Sequence, residues 1–79
     1  MKIEVKYHYV WNDRVNVSNG ERNVEGVFVY ETKAENLFPE DVELMAQGML
    51  DDSSRWNDDD CIWIWADIFV DGEFFSSII

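Results

Sequence analysis

Residues 61–79 carry the most restrictive pattern in the chain. Cys61 to Val70 is an apolar run rich in Trp, Ile and Phe; Asp71-Gly72 follows, and Glu73 to Ile79 is mostly apolar again. Asp-Gly between two such runs accepts positive φ at both central positions and closes a two-residue type I′ hairpin. That turn pairs Val70 with Glu73 and Phe69 with Phe74. Strict alternation then puts Ile62, Ile64, Ala66 and Ile68 on one face with Phe75, Ser77 and Ile79. Trp63, Trp65 and Phe69 fall on the other with Phe74 and Ile78. Both faces are apolar, so one covering layer does not suffice.

The rest of the chain supplies that layer and two more strands. Lys2 to Trp11 alternates, with Ile3, Val5, Tyr7, Tyr9 and Trp11 on one side and Lys2, Glu4, Lys6 and His8 on the other, which reads as a half-buried strand. Residues 12–23 are turn-rich, with Ser18-Asn19-Gly20 the expected tip. Val24 to Thr32 is a second strand, expected antiparallel to the first, and Lys33 to Asn36 a connection. Pro39 suits the first turn of a helix, and Glu40, Asp41 and Glu43 favour its positive end. Phe38, Val42, Met45 and Met49 then form a single helical stripe. Gly48 weakens the last turn. Asp51 to Asp60 is a polar loop, with Ser53 or Ser54 placed to cap a short turn. The expectation is a single α+β domain over residues 1–79, a four-stranded antiparallel sheet in the order β-β-α-β-β with one helix on one face. On that reading Trp63, Trp65, Phe69 and Phe74 lack cover, and a homodimer through this aromatic face is expected.

Charge is distributed unevenly. Residues 1–34 balance five acids against five bases, whereas residues 35–60 carry nine acids against Arg55 alone; the whole chain is at −11. Such a field repels nucleic acid and anionic membranes and attracts basic surfaces. Cys61 is the only cysteine, so no internal disulfide forms. With Lys2-Ile3-Glu4-Val5 in place of an apolar leader, the expected location is cytoplasmic.

Catalytic or metal chemistry finds little to work with. His8 is the only histidine and sits mid-strand, where a surface role is the natural one. Cys61 opens a strand with no histidine nearby in sequence and reads as a small hydrophobe. There is no Gly-rich phosphate loop and no Cys/His zinc spacing. Asp51 to Ile62 has the length of a calcium loop, but Arg55 occupies its fifth position, Trp56 replaces the sixth-position Gly, and Ile62 replaces the final Glu. The reading is of a chain without enzymatic activity, metal or cofactor.

The acids invite a different reading. Glu40, Asp41 and Glu43 serve a helix start, but Asp51 and Asp52 oppose the dipole at its other end, and Asp58, Asp59 and Asp60 repel one another. These eight carboxylates, with Trp56 as an anchor among them, are the candidate partner-binding set. The bland alternatives are a solvated acidic face and a Trp56 that folds back to pin the loop. In length, charge, aromatic content and α+β patterning the chain resembles small phage anti-defence proteins, which include anti-CRISPR proteins and uracil-DNA glycosylase inhibitors. That resemblance covers the chain in composition only and assigns no site residues. It implies an inhibitor that sets carboxylates where a basic nucleic-acid-binding protein expects phosphates, as a DNA mimic does. An immunity protein or antitoxin against a nuclease toxin uses the same electrostatics. A dimeric structural or assembly protein needs only the aromatic face.

Overall fold

In a computed structural model, residues 1–12, 21–33 and 37–79 are described. The elements are β1 (Lys2–Asn12), β2 (Glu21–Glu31), α1 (Pro39–Asp51), β3 (Cys61–Val70) and β4 (Glu73–Ser77). The strands form one antiparallel sheet in the order β2-β1-β3-β4. This is the α+β fold expected, with β1 interior. The second strand starts at Glu21 rather than Val24, because its register with β1 runs on to the Asn12–Glu21 pair. The expected tip at Ser18-Asn19-Gly20 lies outside the described residues.

The last hairpin forms at the expected turn. Asp71 and Gly72 both have positive φ, at 49° and 86°, and Val70 pairs with Glu73 and Phe69 with Phe74. Asp71 also ties the turn to β1: its Oδ1 accepts from the Lys2 N–H at 2.8 Å, and its own N–H donates to the Lys2 carbonyl at 2.9 Å.

The expected division of faces fails, because both partners of this hairpin contain a bulge. On β3, His8 pairs with Trp65 but Tyr9 pairs with Trp63, which leaves Ile64 as the extra residue. A bulge of one residue switches every side chain beyond it to the other face. Trp63 therefore joins Ala66 and Ile68 on the side of Tyr7 and Tyr9, while Ile62 turns away and is 65% exposed. On β4 the extra residue is Phe75, between the Ile68–Ser76 and Phe69–Phe74 pairs. Phe75 and Ile78 pack against the core, and Phe74 does not.

That core lies between α1 and one face of the sheet. Ile3, Val5, Ala66 and Ile68 from the strands meet Val42, Ala46 and Leu50 from the helix, all essentially buried. Full burial of one such aliphatic side chain contributes about 1.5–3 kcal/mol. The helical stripe is therefore Val42-Ala46-Leu50, flanked by the half-buried Met45 and Met49. Phe38 is not part of it. Because the helix begins at Pro39, Phe38 is the extended residue before it (φ −67°, ψ 150°), and its ring is 74% exposed.

Helix and strand lengths set what else must happen. Thirteen helical residues span about 20 Å, whereas eleven strand residues span about 37 Å. The helix leaves the far end of the β1–β2 ribbon uncovered. The loop that follows α1 closes over it.

Candidate binding surfaces

The covering loop is built around an aromatic cluster. Tyr7 stacks on Phe28 at 4.6 Å between ring centroids, Tyr9 meets Trp63 at 4.6 Å, and Trp56 meets Trp63 edge-on at 5.0 Å. Trp63 donates its indole N–H to the Arg55 carbonyl at 3.1 Å. The Arg55 guanidinium lies 3.9 Å from the centroid of the Trp11 ring and reaches Asp58 Oδ2 at 3.3 Å. Ser53 caps the turn as expected, its Oγ accepting from the Arg55 N–H at 3.3 Å. At the loop's end the Asn12 N–H donates to the Asp60 carbonyl at 2.9 Å, which joins it to β1.

Several of the candidate residues therefore have uses inside the chain. Trp56 is half-buried and packs inward on Trp63, in the loop-pinning position. Asp58 is held twice, by Arg55 and by the Asp60 N–H, which donates to its Oδ1 at 2.9 Å. Asp59 is exposed. The eight carboxylates do not form one patch on one element. Eleven residues make about three helical turns, so Glu40 and Asp51 project on nearly the same side of α1, with Glu43 close to that line. Asp52 lies off that line, on the side of α1 that faces β2, and Asp41 turns half inward. Asp58 to Asp60 belong to the separate turn that meets β1. Among the described residues no ion pair involves Glu40, Glu43, Asp51, Asp52 or Asp59. Asp51 instead accepts from the Gln47 amide at 3.1 Å.

The four rings expected at a dimer interface do not share a face. Trp63 is covered by Tyr7, Tyr9 and Trp56 of its own chain, as the bulge at Ile64 requires. Trp65, Phe69 and Phe74 do lie on the open side of the sheet. Phe69 is half-buried there, with Phe74 edge-on at 5.8 Å and the Lys6 ammonium over its ring at 4.3 Å. Tyr7, Tyr9 and Phe28 belong to the helix side. The open face is thus mixed rather than aromatic: Lys2, Glu4, Lys6 and His8 run down β1 between Val27 and Val29 of β2 and the rings of β3 and β4. His8 is a surface residue, its Nε2 3.0 Å from Asn23 Oδ1 and its Nδ1 3.4 Å from Glu25 Oε1.

Among the described residues two groups titrate away from their ordinary values. Burial pushes the Tyr9 phenol up, helped by the neighbouring Cys61. Burial likewise pushes the Cys61 thiol up, helped by the Asp58 carboxylate. A raised thiol pKa makes a poorer nucleophile at neutral pH. Among the described residues no group of three or more His, Cys, Asp or Glu side chains is arranged to hold a metal ion. None of their helices is long and apolar enough to cross a membrane.

The sequence alone did not point to Arg55 as a staple, although a single base among nine acids beside Trp56 was the available signal. Nor did it reveal that β2 is an edge strand, since strand order is not written in local pattern. Comparison with protein-family models, with curated proteins and with solved structures finds no match to this chain.

Proposed function

We propose that this chain is a non-catalytic binding protein, an inhibitor that engages the cationic nucleic-acid-binding surface of a defence complex or nuclease, as small phage anti-defence proteins do. The observation that carries this reading is the outward line of α1. Glu40, Glu43 and Asp51 stand without cationic partners among the described residues, on an element whose other side is anchored in the core. A rigid row of carboxylates is the complement of a groove lined with Lys and Arg. Retaining Asp51 and Asp52 at the negative end of a helix costs stability, on the order of 0.3–1 kcal/mol each, which is the expected signature of selection for an outside partner. Residues Asp58 and Trp56, being used within the loop, take a supporting part at most.

The test begins with affinity capture from host lysate, followed by titration of the purified partner with the chain and with duplex DNA. On this reading the chain displaces DNA, and its affinity falls steeply with added salt. The combined substitution Glu40→Lys, Glu43→Lys and Asp51→Lys abolishes binding while far-UV circular dichroism stays unchanged. Binding indifferent to salt and to all three reversals would overturn it.

A further inference from the structure

The two edges of the sheet are finished differently. β4 is five residues long and bulged at Phe75, and the part of β3 that extends past it is bulged at Ile64; short strands and bulges are how natural sheets discourage further pairing. β2 is eleven residues long, pairs with β1 without a register shift, and contains no proline and no lysine.

The backbone phase of β2 follows from the start of the ribbon. Met1 and Thr32 exchange both main-chain hydrogen bonds at 2.9 Å, whereas Lys2 turns its N–H and carbonyl to Asp71 on the other side. Antiparallel ladders alternate, so Tyr30, Phe28, Gly26, Val24 and Arg22 face β1. The N–H and C=O groups of Asn23, Glu25, Val27, Val29 and Glu31 therefore point away from the sheet. Among the described residues none of these backbone groups has a partner.

A groove of about 420 Å³ runs beside this edge on the helix side, lined by Val27, Phe28, Val29, Met49, Asp52 and Ser53. It lies where alternate side chains of an added strand would descend. The charges along this edge are acidic on both faces: Asp52 lines the groove on the helix side, and Glu25 and Glu31, paired with His8 and Lys2, project from the open face.

We propose that the outer edge of β2 receives an extended, lysine- or arginine-bearing segment of a partner protein as a fifth strand. Its alternate apolar side chains enter the Phe28–Met49 groove, and its cations, on the open face, meet Glu25 and Glu31. Strand addition of this kind takes affinity from main-chain hydrogen bonds and specificity from alternate side-chain pockets. A second copy is the poorer occupant. Each copy brings a charge of −11, so two copies repel. The cationic character of the segment rests on the function proposed above; the strand addition rests on the edge itself.

The probe is the blocked peptide acetyl-Thr-Lys-Val-Lys-Val-Lys-Thr-amide, titrated into isotopically labelled full-length chain. The expected result is protection from hydrogen exchange of the amides of Asn23, Glu25, Val27, Val29 and Glu31. N-methylation of alternate peptide amides should weaken binding at least about tenfold, and so should Val27→Pro, whose lost N–H points outward and not into the ladder. Val27→Lys, a surface change that leaves the backbone intact, guards the edge and should have the same direction of effect. No binding, or equal binding by the N-methylated peptide with no effect of either variant, overturns strand addition and leaves the acidic-surface reading standing. Equal binding when Glu replaces Lys in the peptide keeps the strand addition but removes its cationic preference and counts against the acidic reading. A dimer of the unliganded chain in sedimentation, with the same five amides already protected, overturns the proposal in favour of a second copy.

Discussion

The Tyr7 ring lies across Gly26, its direct partner in the β1–β2 ladder, so closely that a Cβ built on Gly26 would come within 2.6 Å of the ring carbon Cζ. The glycine leaves the space that lets Tyr7 lie flat and stack on Phe28. Gly26→Ala should destabilise the chain by about 1–3 kcal/mol, the usual cost of overpacking, although alanine is ordinarily the better strand residue. Urea denaturation measures this, and Tyr7→Leu in the same chain should recover part of the loss. An additive double mutant would show that the two residues are not coupled.

The bulge at Ile64 separates two tryptophans that sequence pattern puts together. Trp63→Ala should cost about 3–5 kcal/mol, as for a large aromatic removed from a core, and should also free the Arg55 carbonyl that Trp63 bonds. Trp65→Ala, on the open face, should cost less than about 1 kcal/mol. Equal losses in denaturant would contradict the register.

How much of this was legible beforehand can be judged from such residues. The Asp71-Gly72 turn, the end of β3 at Val70 and the start of α1 at Pro39 were readable because each depends on local backbone chemistry. The partition of Trp63 from Trp65 was not, because a bulge is set by what the neighbouring strand will accept. Phe38 was misplaced for a related reason: a stripe at helical spacing does not say where the helix begins. The acids of α1 were legible as a group, but the loop acids were not, since Asp58 is bound to Arg55 and to the Asp60 N–H only after the turn forms.

Arg55 should not be replaceable by Lys. Its planar guanidinium lies over Trp11 and reaches Asp58 at once, and an ammonium cannot do both in that geometry. Arg55→Lys should lose about 0.5–1 kcal/mol and alter the tryptophan emission spectrum. An unchanged spectrum and unfolding midpoint would mean the stack is not maintained in solution.

Gly48 is a place to gain stability. A Cβ there meets nothing within 4 Å, and the helix continues past it to Asp51. Gly48→Ala should therefore stabilise by up to about 1 kcal/mol, seen as a higher midpoint in urea without a change in slope.

Alkaline pH should weaken the fold. Both Tyr9 and Cys61 hold their protons more tightly folded than unfolded, so the folded state binds more protons at high pH. Their contribution is complete below the ordinary thiol value of 9.0 and is lost as pH rises through the elevated folded values of the thiol and then the phenol. The unfolding midpoint should stay level up to about pH 8.5 and fall beyond it, with the first part of the fall absent in Cys61→Ala. A midpoint that rises above pH 9 would reverse the sign of the argument.

The clasp between Lys2 and Asp71 joins residues 69 positions apart and bonds both ways. Each hairpin can zip by itself, but the seam between β1 and β3 requires the two to meet in register. Ladders of such wide sequence separation form late and slowly, on the scale of milliseconds to seconds. During that interval β1 is itself an unpaired edge, apolar on one side and facing whatever is nearby. A chain whose middle strand waits for its last hairpin benefits from a strong like charge between molecules, so part of the acidic excess acts before the native state exists, keeping half-assembled sheets apart.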